Sequence, residues 1–172
     1  MVLNPSGVQR VRFEGYGPEG CAVLLECRTA DPERLRSVLR RVFRAHGGVL
    51  GAEGAVSYLF DRVGWMRFAA TDPASLTRAA YAAGAEHVSG VDREELEVRT
   101  DPQEFEAIRL ALARDGWVPS AAAVSERVAE RLTLPAGAAR RVSELLEALA
   151  QVEDVRCVYS NVAISDPSLA SV

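Results

Sequence analysis

The stretch Glu14-Gly-Tyr-Gly-Pro-Glu-Gly20, followed directly by Cys21-Ala-Val-Leu-Leu-Glu-Cys27, decides between two kinds of fold. Gly15 to Gly20 is a literal G-x-G-x-x-G. In a dinucleotide-binding domain that motif lies between a strand and a helix whose N-terminal N–H groups receive the pyrophosphate. Here an apolar, strand-like run follows in place of the helix, and Pro18 stands inside the motif. The motif therefore reads as a glycine-rich hairpin loop that displays Tyr16, flanked by strands at Val8–Gly15 and Cys21–Arg28.

Outward from this hairpin, three helices begin in the same way. Asp31-Pro32-Glu33, Asp72-Pro73-Ala74 and Asp101-Pro102-Gln103 each offer Asp as N-cap and Pro at the first helical position. The Asp oxygen accepts from free backbone N–H groups, and Pro lacks the N–H that would go unmatched there. Glu104 adds a capping-box residue to the last of them. A fourth helix is expected from about Pro135 to Gln151.

The remaining strands are expected at Ala55–Asp61, Trp65–Ala70, Glu94–Arg99, Val118–Val124, Ser125–Leu132 and Val155–Ile164, with a weaker signal at Glu86–Ser89. Most show alternation or a short β-branched apolar run bounded by Gly, Pro or Asp. Residues 64–124 then read β-α-β-β-α-β, a complete ferredoxin-like unit. The flanks, Val8–Arg62 and Ser125–Ile164, read β-β-α-β and β-α-β, and neither is complete alone. The expected fold is α+β, two ferredoxin-like or related α/β sandwiches, with a domain of residues 64–124 inserted into one made of 1–63 and 125–172. Ser165–Val172 is short and polar and is expected to fray.

The chain has 172 residues, enough to bury a core, with 48% hydrophobic and 26% charged residues and a net charge of −4. That acidity argues against indiscriminate binding to nucleic acids or acidic membranes. No run is apolar for the length of a membrane span and no signal-peptide core opens the chain, which places the protein in the cytoplasm. The three cysteines have no C-x-x-C spacing. Cys21 and Cys27 lie on one face of one strand, roughly 20 Å apart, and read as small buried hydrophobes. No metal or cofactor site emerges, and no catalytic motif does either, so an enzyme is not expected.

The helix from Asp31 to His46 carries the candidate site. Leu35, Val38, Leu39, Val42 and Phe43 form an apolar stripe. Opposite stand Arg34, Arg36, Arg40, Arg41 and Arg44, with Arg36, Arg40 and Arg44 on one i, i+4, i+8 line. Such a row suits phosphates, and it also describes a solvated face whose last arginines meet the helix C-terminal dipole. Tyr16 joins the row as a candidate nucleic-acid contact. His46 reads as a helix C-cap before Gly47-Gly48. Tyr58, Phe60, Trp65, Trp117 and Tyr159 are either stacking platforms for bases or half-buried sheet residues, and His87 reads as structural.

The loop block Glu14–Gly20, together with His46-Gly-Gly-Val-Leu-Gly51, Ala55-Val-Ser-Tyr-Leu-Phe60 and Asp154-Val-Arg-Cys-Val-Tyr-Ser-Asn161, resembles the YebC/PmpR family of gene-expression regulators, in the same order and from about Phe13 to Ile164. The resemblance implies the second and third domains of that family, without its lysine-rich N-terminal helical domain, the natural nucleic-acid contact. It implies a non-catalytic regulator acting in transcription through DNA or in translation through RNA or the ribosome, with weak binding by this chain alone. At Glu19 the family loop commonly has glycine. Two other readings stay open: a ferredoxin-like sensor of a small ligand, and a module that pairs with a protein partner.

The hairpin reading has a direct test. Titration with NAD or ATP is expected to give no saturable heat or fluorescence change up to millimolar ligand, because no helix N-terminus follows the loop to receive phosphates. Saturable micromolar binding would overturn it.

Overall fold

The computed structural model describes residues 7–163. In chain order the strands are β1 (Gln9–Tyr16), β2 (Ala22–Thr29), β3 (Val49–Leu50), β4 (Phe60–Ala69), β5 (His87–Gly90), β6 (Glu95–Thr100), β7 (Ala121–Val128) and β8 (Val155–Ser160). The α-helices are α1 (Pro32–Ala45), α2 (Pro73–Ala83), α3 (Phe105–Arg114) and α4 (Ala136–Ala150). The fold is α+β. None of the described helices is long and apolar enough to cross a membrane. The expected end of the last strand at Ile164 and the expected fraying of Ser165–Val172 lie outside the described residues.

The chain divides into two compact units, one of residues up to Phe60 and from Val128, the other Asp61–Arg127. It crosses between them at the first residue of β4 and the last of β7, within strands rather than through a linker. That is why no glycine or proline marks the crossings.

In the first unit the sheet order is β3-β1-β2-β8. β1 and β2 pair antiparallel from Gln9↔Thr29 to Tyr16↔Ala22, so the glycine motif is the loop of a hairpin. One face of the sheet, with Phe13, Val23, Leu25 and Cys27, packs on Leu35, Leu39 and Phe43 of α1 and Val142, Leu145 and Leu149 of α4. Gly15 permits this approach, since a Cβ there would lie 2.8 Å from the Phe43 ring. The opposite face presents Ala22, Leu24 and Tyr159 to Val56 and Phe60. In the second unit the order is β5-β6-β4-β7, and Met66, Phe68 and Val98 pack on Leu76 of α2 and Ile108 and Leu112 of α3.

Two of the Asp-Pro starts cap as expected. Asp31 Oδ1 accepts from Arg34 N at 3.0 Å and Asp72 Oδ1 from Ser75 N at 3.1 Å. The third differs. Asp101 Oδ1 accepts from Gln103 N at 2.7 Å, two residues on, and this local bond closes a turn before the helix. α3 therefore begins at Phe105, with Glu104 in the N-cap position and making no side-chain cap bond.

Several strand expectations change. Val118–Val124 and Ser125–Leu132 are not two strands; with no turn residue between Val124 and Ser125, one strand, β7, runs through. Beyond it Leu132 makes only an isolated parallel bridge to Val162. Ala55–Asp61 is not a strand either. Residues 57–59 form a 3-10 turn, and β4 starts at Phe60.

The cause of that turn is Glu14. Its side chain is buried, and its carboxylate accepts from the backbone N–H groups of Gly54 at 2.9 Å, Val56 at 2.7 Å and Ser57 at 2.8 Å. Donors that a strand would offer to a ladder converge instead on one side chain. Burial pushes the Glu14 pKa up, but the bonds from Val56, Gly54 and Ser57 outweigh it and leave the pKa below its ordinary value.

Glu14→Gln is accordingly expected to lower the unfolding free energy in urea by about 2–3 kcal/mol, because an amide N–H₂ would face backbone donors. The folded pKa of Glu14 lies below its unfolded value, so its contribution is complete above the ordinary glutamate range and is lost as pH falls through that range toward the folded value. That part of the acid sensitivity should be missing in the variant. An unchanged urea midpoint would refute this role.

Candidate nucleic-acid interface

α1 buries Leu35, Leu39 and Phe43 against the sheet, which turns its arginines outward by helical geometry alone. Four residues advance the helix by one turn and roughly 40°, so the line Arg36–Arg40–Arg44 drifts from the sheet flank toward solvent. Arg36 is half-buried at the start of that drift. Its guanidinium stacks over the Phe13 ring at 5.1 Å and its Nε stands 3.6 Å from Glu33. It lines an open concavity of about 570 Å³ together with Arg10 and Arg12 of β1 and with Glu53 and Ser57. Arg34 is exposed and pairs with Asp154 at 3.5 Å.

The later three are placed differently. Arg40, Arg41 and Arg44 are exposed, and among the described residues their side chains have no ion pair, hydrogen bond or ring contact. On α4 the comparable arginines are engaged, Arg140 with Glu144 at 3.2 Å and Arg141 with Glu19 at 2.7 Å. Like charges at i, i+4 destabilise a helix by a few tenths of a kcal/mol per pair. Arg44, in the last turn, is partly offset by the helix dipole.

At its end α1 is closed as the sequence suggests. The backbone N–H of His46 donates to Phe43 O at 3.1 Å, its ring Nδ1 lies 3.0 Å from Val42 O, and Gly47 takes the left-handed conformation at φ 73°. His46 is a capping residue here.

Tyr16 is not on the arginine face. It ends β1, and its hydroxyl donates to Ala55 O at 2.7 Å, tying the strand to the loop that Glu14 holds. The residue remains 37% exposed. Among the stacking candidates, Phe60 and Tyr159 are buried and Trp117 packs against the core of the second unit. Trp65 has the guanidinium groups of Arg67 and Arg127 over its ring at 5.5 and 5.0 Å, while its Nε1 donates to Ser125 Oγ at 2.9 Å. Tyr58 is the aromatic left open, at 74% exposure. His87 lies exposed on β5.

Two of the cysteines offer no chemistry at neutral pH. Cys21 and Cys27 are buried among the apolar residues beneath α1 and α4. Burial, with the nearby charges of Asp154 and Glu26, pushes the Cys27 thiol up to about 12, and burial raises Cys21 as well. A thiol so raised is neither a nucleophile nor a ready metal ligand.

Sequence reading missed Arg10 and Arg12 as neighbours of Arg36, and Glu14 as the anchor of the loop. The alternation of β1 does put Arg10, Arg12 and Glu14 on one face of the strand. Nothing local tells that residues 53–57 return beside them.

Comparison with known proteins follows the fold closely. A family model described as the TACO1/YebC second and third domain matches residues 8–162. A probable transcriptional regulatory protein of Idiomarina loihiensis is 37% identical over 169 residues, covering 98% of this chain and 68% of that protein. One from Hahella chejuensis is 38% identical over 170 residues, with 98% and 68% covered. Among solved structures, a conserved hypothetical protein from Aquifex aeolicus aligns with a TM-score of 0.77 and 32% identity, over 96% of this chain and 69% of that one. The chain thus spans about two thirds of the length of these relatives.

Proposed function

This chain belongs to the TACO1/YebC family, and on that premise we propose that it is a non-catalytic, cytoplasmic regulator of gene expression that reaches nucleic acid through phosphate contacts from the outer face of α1. The relatives' names, probable transcriptional regulatory proteins, support the regulatory role. The observation that carries the contact is the trio Arg40, Arg41 and Arg44, exposed and without partners among the described residues.

An arginine presents a planar fork that matches phosphate oxygens two at a time and remains charged at any physiological pH. Arg40 and Arg44 are about 6 Å apart along the helix axis, so their long side chains can reach neighbouring phosphates of one strand. Arg34 and Arg36 are held by Asp154, Glu33 and Phe13 and serve as secondary contacts. Phosphate contacts position a protein without reading sequence, so this face acts equally on DNA, RNA or the RNA of a ribosome. An acidic chain that offers only a few contacts should bind weakly, no tighter than about 10⁻⁶ M at physiological salt.

Anisotropy titrations against duplex DNA, structured RNA and single-stranded RNA at several salt concentrations test this. Replacing Arg40, Arg41 and Arg44 together by Gln is expected to flatten the salt dependence by about two to three units of slope. The fold should be unharmed, since like-charge repulsion is removed from an exposed face. Equal slopes for both proteins on every ligand would sink this reading and turn attention to protein partners.

A further inference from the structure

Among the described residues, Glu19 is the one non-glycine residue with a left-handed backbone, at φ 59° and ψ 20°. A side chain is strained there, while the neighbouring Gly20 takes φ 71° without strain. The loop does not need a side chain at position 19 to close. Gly17 N–H donates to Cys21 O at 2.8 Å and Gly20 N–H to Gly17 O at 3.2 Å.

The base of the loop is pinned, since a Cβ on Gly17 would meet Cys21 Sγ at 2.6 Å and Leu145 Cδ2 at 2.8 Å. Its tip is open, with nothing within 4 Å of a Cβ placed on Gly20. What the Glu19 side chain does is meet one group: its Oε1 accepts from Arg141 Nη2 at 2.7 Å. Both side chains are about half exposed, so the pair adds little to stability. Backbone strain retained for a weak surface pair points to a role other than holding the fold.

The place is informative. Glu19 and Arg141 border an open concavity of about 430 Å³ shared with Pro18, His46, Gly47 and Glu144, where α1 ends one residue beyond Arg44. Carboxylate and phosphate both offer paired oxygens to a guanidinium. We propose that the Glu19 carboxylate is an internal stand-in for a nucleic-acid phosphate: it occupies Arg141 and keeps closed a further phosphodiester subsite that continues the α1 face. Release of Glu19 from its pinned loop frees Arg141 for the backbone of a bound strand. This extends the phosphate-binding reading of α1 and rests on its premise that the chain contacts nucleic-acid phosphates.

The test is a double-mutant cycle in the same anisotropy assay, with single-stranded RNA and duplex DNA as probes. Glu19→Gln should bind about threefold tighter or more, with a salt dependence steeper by about one unit. The same substitution made on top of Arg141→Gln should gain much less. No gain from Glu19→Gln overturns the proposal, and so does an equal gain in both backgrounds, which would be a general effect of removing negative charge. Glu19→Gly should melt no lower than the wild type; a clear drop in Tm would make the residue structural and overturn the proposal too.

The two readings separate cleanly. Loss of slope in the α1 variant with no gain from Glu19→Gln leaves the α1 reading standing and this one refuted. A gain through Arg141 with an unchanged α1 variant does the reverse. Absence of binding by every protein refutes both.

Discussion

One buried carboxylate organises the face of the first unit that the helices do not cover. Glu14 sits on β1 with its side chain on that face and accepts three backbone N–H groups from residues 54, 56 and 57. A buried charge is tolerated only when it is hydrogen-bonded, and here backbone donors supply the bonds. The constraint runs both ways, because those donors would otherwise be orphaned under the loop. The held loop in turn brings Val56 and Phe60 over Ala22, Leu24 and Tyr159 and gives the Tyr16 hydroxyl its acceptor at Ala55. The strand order β3-β1-β2-β8 thus acquires a second apolar layer from a loop and 3-10 turn that lead into β4.

On the other face, α1 does two jobs with one helical period. Leu35, Leu39 and Phe43 close the core, and five of the residues left over are arginines. What separates these arginines from one another is the neighbourhood, not the residue type. Arg34 and Arg36 lie near Asp154, Glu33 and the Phe13 ring and are held. Arg40, Arg41 and Arg44 rotate away from these groups. A partner bearing phosphates would find the second half of the helix ready and the first half already engaged.

Much was legible in the sequence because the signals are local. Asp31-Pro32 and Asp72-Pro73 announce their helices by a bond that spans three residues. The glycine motif reads as a hairpin because the run after it is strand-like, and the register Tyr16↔Ala22 bears that out. The stripe of α1 repeats with the helix, so its buried and basic faces follow from spacing. The residue blocks that resemble the family were sufficient to name it.

The rest depended on distance. Ala55–Phe60 has the composition of a strand, yet it curls because its N–H groups meet Glu14 some forty residues earlier in the chain. Asp101 is a local exception: it looks like the other N-caps, but its carboxylate bonds to Gln103 two residues on and closes a turn. The pairing of Glu19 with Arg141 spans most of the chain. Sequence by itself determined most of the elements, the basic face of α1 and the family, because caps, periods and turn residues act within a few positions. Tertiary structure alone decided which charges remain free and which loop is held, because hydrogen bonds and ion pairs depend on what folding brings within about 3 Å.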